Sequence, residues 1–188
     1  MEIEEFVANL AEGRVWFDGV LQAQALNGDL KLQVPRLKAL EKWGIEGLGG
    51  ELDLVGELIA SWEARISAAF RGNFEGERLD LLNQLRLQSV EGPVSVHLSD
   101  GGFSAEGGFK GVTPISSYTR EGTVFGGWQV RENPQDGLSW EADVEAQDLV
   151  VDDGEVGSLS ASFYGDSSGI RGRGDLEEVV FQHFFWPK

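Results

Sequence analysis

The chain has 188 residues, 41% of them hydrophobic and 25% charged, which is enough apolar material for a folded core and too much for intrinsic disorder. Fifteen lysines and arginines stand against 32 aspartates and glutamates, and the net charge of −17 excludes nucleic acid and an anionic bilayer surface as expected partners. Cysteine is absent and histidine occurs only at His97 and His183, so disulfides, thiolate chemistry and histidine-rich metal sites are excluded as well.

At the amino terminus, Ile3, Phe6, Val7 and Leu10 follow helical spacing in an acidic context, which predicts a short amphipathic helix or leader over 1–13. Leu30, Leu32 and Val34 alternate up to Pro35. Leu37 and Leu40, three apart just beyond it, predict a second short helix over 36–43. From Leu48 to Gly76 every even position is apolar or glycine, including Leu52, Leu54, Leu58, Trp62, Ile66, Phe70 and Phe74, while the odd positions are mostly polar. A period of two means extended chain with one buried face, because successive strand side chains point to opposite sides. The run is too long for one ordinary strand, so turns or bulges are expected near Gly56 and over 72–76.

Shorter copies of the pattern follow. Val94, Val96 and Leu98 alternate, as do Phe103 and Ala105, the stretch from Val124 through Trp128 to Val130, and Leu138, Trp140, Ala142, Val144 and Ala146. Leu159, Ala161 and Phe163, then Ile170, Gly172, Gly174 and Leu176, repeat it. Turn signals at Asn27-Gly28, Asp100-Gly101-Gly102, Asp136-Gly137 and Asp153-Gly154 mark these as antiparallel neighbours joined by hairpins, about a dozen strands in all. The 26 glycines, roughly twice the usual share, fit a sheet with many turns and bulges. Residues 179–188 are densely apolar and read as a terminal strand or a cut edge.

A sheet with one apolar face needs a cover: a second sheet, barrel closure, helices or a bound apolar ligand. Helical signals are too scarce here to roof it. The parity fits an ordinary protein core and a ligand-holding groove equally.

The stretch from Gly137 to Glu177 carries a resemblance. Leu138-Ser-Trp-Glu-Ala-Asp-Val-Glu-Ala-Gln-Asp-Leu, Gly157-Ser-Leu-Ser-Ala-Ser-Phe and Gly169-Ile-Arg-Gly-Arg-Gly-Asp-Leu are similar to the repeated strand, "acidic residue plus leucine", strand, "glycine-serine-leucine" pattern of the AsmA-like superfamily, most closely its TamB branch. Val34-Pro-Arg-Leu-Lys-Ala-Leu, followed by Gly47-Leu-Gly-Gly-Glu-Leu-Asp-Leu, resembles that family's short helical turn leading into a strand. The resemblance covers most of residues 14–178. It implies an all-β, mainly antiparallel fold in which a long curved sheet forms an open hydrophobic trough (a β-taco), with one or two short helices. It further implies a non-catalytic segment, without cofactor, of an inner-membrane-anchored protein in the periplasm of a diderm bacterium. Such a trough would conduct phospholipids by their acyl chains between inner and outer membranes, assist assembly of outer-membrane β-barrel proteins, or both. The groove residues then expected are Leu52, Leu54, Leu58, Trp62, Ile66, Phe70, Phe74, Trp128, Leu138, Trp140 and Val144, with Trp62→Asp or Ile66→Asp abolishing lipid occupancy. The acidic start at Met1 is no secretory signal, and a middle segment of a longer chain is expected, prone to homo-association through its sheet edges.

Other motifs read as structure. Asp152, Asp153 and Glu155 lack calcium-loop spacing and suit a hairpin turn. Gly169, Gly172 and Gly174 fit bulges or close approaches better than a dinucleotide fingerprint, and Arg173-Gly174-Asp175 is a tripeptide common by chance. His97, at odd parity, is expected to face solvent, and His183 to be a core residue. The alternative to a lipid trough is a structural or carbohydrate-binding β-sandwich, with Trp16, Trp62, Trp128 and Trp140 as core or sugar-stacking platforms.

Overall fold

Alternating side chains give each strand one apolar face, and the computed structural model joins the strands through their backbone edges into one sheet. It describes residues 2–10, 13–43, 48–63, 65–81, 85–112, 114–115, 119–133, 137–151, 154–166 and 169–181. The strands are β1 (Glu2–Leu10), β2 (Gly13–Leu21), β3 (Ala25–Val34), β4 (Leu48–Ser61), β5 (Ser67–Leu81) and β6 (Leu85–Ser99). There follow β7 (Gly102–Val112), β8 (Pro114–Ile115), β9 (Thr119–Asn133), β10 (Gly137–Val151), β11 (Gly154–Asp166) and β12 (Gly169–Phe181). Eleven of them lie side by side in chain order, all antiparallel, and the two-residue β8 pairs with β6 off that path. The result is a long curved antiparallel sheet folded into an open hydrophobic trough.

The register carries one parity across the whole sheet. Phe17 lies opposite Leu30, Leu30 opposite Gly56, Gly56 opposite Gly72, Gly72 opposite Val94 and Val94 opposite Gly107. The same row continues through Trp128, Ala142, Phe163 and Gly172. Glycines on this face explain the curvature. A methyl group on Gly72 would lie 2.7 Å from the Gly56 Cα, and one on Gly28 would lie 2.6 Å from the Gly19 Cα. Facing Cβ atoms of a regular antiparallel pair stand about 4.5–5.5 Å apart. The apolar side is therefore creased inward along rows of glycine that cross the strands. On the other side there is room, since a methyl group on Gly127 would meet nothing nearer than the Gly107 carbonyl oxygen at 3.7 Å.

The sheet is a single layer. A compact chain of 20.5 kDa exposes about 8,800 Å², whereas this one exposes 13277 Å². A closed sandwich is not formed. Among the described residues the buried hydrophobics are Phe17, Val34, Leu37, Phe70, Leu79, Val90, Val94, Ala105 and Ala146, nearly all on the concave face.

Several expectations are corrected. The helix over 1–13 is strand β1, and its helical spacing has a simple origin. A register shift between Ile3 and Phe6 puts Ile3 opposite Gly19 and Phe6 opposite Phe17, so two residues three apart reach one face through a bulge. The second helix is a 3-10 turn over Leu37–Trp43. Gly56 and Gly72 are not breaks but mid-strand creases, the chain reversing instead after Ser61. Asn27-Gly28 likewise lies inside β3, and the turn precedes Ala25. Asp100-Gly101 does form the β6–β7 turn, and His97 is exposed. Asp136, Asp152, Asp153, His183 and the rest of 182–188 lie outside the described residues. Residues 2–10 of the separate piece expected over 1–13 join the sheet as β1, and 179–181, the described part of the terminal strand or cut edge expected over 179–188, end β12.

The crease makes a sharp stability prediction. Gly72→Val should destabilise the chain by about 1–3 kcal/mol or more by overpacking, while Gly127→Ala on the convex side should be neutral or gain about 0.5–1 kcal/mol. Urea denaturation followed by circular dichroism checks this; equal effects at the two positions would mean that the glycine rows do not set the curvature.

Candidate functional site

The candidate site is the concave face itself. Its floor is built from aromatic rings laid flat over neighbouring glycines. A methyl group would come within 2.7 Å of Phe17 Cζ if placed on Gly19, within 2.7 Å of Phe70 Cζ if placed on Gly72, and within 2.8 Å of the Trp128 ring if placed on Gly107. Trp140 lies over Gly165 in the same way, Phe163 over Gly172 and Phe109 over Gly126. Rings seated this low cover the bare backbone of the creases and give the floor of the trough an apolar surface. With eleven strands about 4.8 Å apart, it runs for about 48 Å across the strands.

Of the eleven groove residues expected from the sequence, Leu52, Leu54, Leu58, Phe70, Phe74, Trp128, Trp140 and Val144 lie on this face within strands β4, β5, β9 and β10. Leu138 shares the face but stands at the rim, opposite Glu132 and 51% exposed. Trp62 and Ile66 do not line the trough. Both fall in the β4–β5 connection, where Trp62 donates its backbone N–H to Gln24 O at 3.0 Å and its indole Nε1–H to Ala23 O at 3.3 Å. Ile66 is 63% exposed beside it. They keep the even parity because the hairpin pairs Ala60 with Ala68, so the phase is the same on either side of the loop.

The sequence reading missed Phe17, Val94, Phe109 and Val124, which belong to the same surface, and it missed how one rim is closed. There a bulge re-phases β5: Gly50 (φ 100°) and Arg78 (φ 51°) sit at the register shift between Gly49 and Glu51. It turns Leu79 inward, and Arg78 pairs with Glu51 outside. Leu79 then meets Val34, Val90 and Leu37 of the 3-10 turn in a buried cluster, against which Leu52, Phe74 and Phe109 pack. Among the described residues the opposite rim has no such cluster; Leu98 and Leu138 stand exposed there on the last inward row.

Away from the rim residue Glu132, the charged side chains described within the central strands lie on the convex face. Asp18, Asp29 and Glu57 are successive cross-strand partners, as are Asp53, Glu75 and Glu91. Like charges directly opposite cost stability, so this face is kept acidic at the expense of the fold. Tyr164, also outside, has its hydroxyl pKa raised by its hydrogen bond to Asp166 and that group's negative charge. Sugar stacking would need aromatics on this polar side. Of Trp16, Trp62, Trp128 and Trp140, only Trp16 lies on the convex sheet face, and its ring is flanked by Lys31 Nζ at 5.4 Å and Arg14 Cζ at 6.0 Å. A depression of about 620 Å³ on that side is lined by Gly108, Gly127, Glu106, Gln129, Glu141 and Asp143 among others. Comparison with protein-family models, with curated proteins and with solved structures finds no match.

The concave face should be measurable directly. An environment-sensitive apolar dye is expected to bind in it and to quench by energy transfer from Trp128 and Trp140. Replacing Trp62 by Phe should leave that transfer nearly intact, and transfer dominated by Trp62 would place the dye outside the trough.

Proposed function

We propose that this chain is a non-catalytic lipid-handling segment whose trough holds the acyl chains of phospholipids. The observation that supports the reading is the continuous apolar concave face, about 48 Å long, over which the described residues place no covering layer. Each methylene moved from water onto such a surface gains about 0.8 kcal/mol, so a tail of a dozen or more carbons is held without any specific polar contact. One leaflet's tail spans about 15 Å, half the bilayer core, so several lipids fit along the trough in series. The reading extends to the setting that the sequence resemblance suggests: a TamB-like part of an AsmA-like protein in the periplasm of a diderm bacterium, passing phospholipids between the inner and outer membranes. A strand of an outer-membrane β-barrel protein, added at an edge of the sheet, is the second cargo of this reading.

Native mass spectrometry of protein purified without detergent after expression alongside membranes tests the lipid reading. Co-purifying phospholipid is expected in the unaltered chain and in Trp62→Asp, whose side chain lies outside the trough, but not in Leu54→Glu or Val144→Glu. A clean apo mass from a folded chain would end the proposal, as would lipid retained by both glutamate variants. The edge strands β1 and β12 make a separate forecast: sedimentation velocity should show association that grows with concentration, and a monomer at every concentration would remove edge pairing from the picture.

A further inference from the structure

The two rims of the trough differ in chemistry. On one, the last inward row carries exposed Leu98 and Leu138 and the single carboxylate Glu132, with Ile66 in the neighbouring loop. On the other, the 3-10 turn crosses from β3 to β4 and drives Leu37, only 5% exposed, into the buried cluster. The residues on either side of that leucine, Arg36 and Lys38, are exposed. Among the described residues neither is held in an ion pair, whereas Arg78 on the same rim is taken up by Glu51. Over 35–43 the sequence carries three basic residues and one acidic, in a chain whose net charge is −17.

From this asymmetry we infer that the turn is a headgroup station: the trough takes lipids bearing an anionic phosphate, and seats that phosphate against Arg36 and Lys38 while the tail runs over Leu52, Phe74 and the floor beyond. The inference rests on the lipid reading above and adds where the headgroup sits and which way the lipid lies. Three features of the structure carry it. Leu37 fixes the turn at the edge of the apolar surface, so its two charged neighbours are held next to the place where a tail enters. Besides Glu41 on the turn itself, Glu51, Asp53, Glu75 and Glu77 line a depression on the convex side with Gln33 and Pro35, so an anion is repelled from behind the sheet and the trough side is the favoured approach. The opposite rim offers Leu98, Phe103 and Leu138 with the carboxylate of Glu132 in the same row, which suits the tail end of an amphiphile and repels an anionic headgroup. Guanidinium and ammonium donors at neighbouring positions give a phosphate charge-assisted hydrogen bonds of two kinds, a fork and a point charge. The excess of acid elsewhere then sharpens the choice of position, because the turn is where a headgroup escapes repulsion.

The test uses the full chain and two probes with the same tail, 1-palmitoyl lysophosphatidate and 1-palmitoyl glycerol, which differ by the phosphate. Binding is read by native mass spectrometry and by tryptophan fluorescence at low and high salt. The chain should prefer the phosphate-bearing probe by about threefold to tenfold, as expected for two partly exposed charge-assisted contacts, and the preference should shrink in high salt. In the double variant Arg36→Gln/Lys38→Gln the preference should vanish while affinity for palmitoyl glycerol stays the same; Arg71→Gln, on the convex face, should keep it. A preference that survives the double variant overturns the headgroup station and leaves the trough intact. Displacement of lysophosphatidate by glycerol 3-phosphate at concentrations comparable to the lipid would make the turn a site for free phosphate esters instead and overturn the lipid assignment. Failure of either lipid to bind the unaltered chain defeats the trough reading itself.

Discussion

Everything in this fold follows from a single mismatch: the sheet has one apolar face about 48 Å across and, among the described residues, no second layer to set against it. Curving inward is the physical response available to a lone sheet, because it brings apolar side chains toward one another and away from water. Curvature has a steric condition, however. On the concave side the Cβ atoms converge on the backbone of the next strand, and at Gly19, Gly28, Gly56, Gly72 and Gly107 that space does not exist. Glycine normally weakens a strand by entropy and by the absence of a side chain to pack. Here the missing area is returned by the aromatic rings of Phe17, Phe70 and Trp128, which lie on the bare backbone. Crease and ring are one device, and it supplies both the bend and a smooth apolar lining.

The same logic explains the division of labour between the two faces. The convex side carries its carboxylates in cross-strand rows, such as Asp53, Glu75 and Glu91, although each pairing is unfavourable. A single-layer sheet with long strands is exposed to stacking on other sheets through its flat side. Repulsion there keeps the polar face solvated, and it leaves the concave face as the surface on which apolar matter can settle. Stability and function thus pull on the same residues in opposite directions, with the glycines and acids conceding local stability to shape and solubility.

Much of this was legible in the sequence. Period-two alternation from Leu48 to Gly76 and its shorter copies named the strands, their antiparallel order and eight of the eleven expected groove residues. What was not legible has a common cause, which is that parity is a local signal and bulges reset it. The shift between Ile3 and Phe6 counterfeited helical spacing in β1, and the one at Gly50 and Arg78 hid Leu79 among polar neighbours. The converse error occurred at Trp62 and Ile66, where the phase is preserved through a connection that is not a strand. Gly56 and Gly28 were read as breaks because glycine in sequence announces a turn and a crease alike; only the partner strand tells them apart. The role of Leu37 depended on three strands meeting it, which no window of the sequence contains.

The strictly alternating path has one further consequence. Because eleven antiparallel strands stand in chain order, β1 and β12 run in the same direction, and the sheet can be lengthened or shortened only in hairpins if its phase is to be kept. Each hairpin adds about 9.6 Å to the trough and two more rungs to every row. A gain or loss of one hairpin would alter neither the creases nor the separation of the two faces in the rest of the sheet. Reach is therefore a free parameter of this architecture: the gap such a trough can span is set by counting hairpins, without redesigning any one of them.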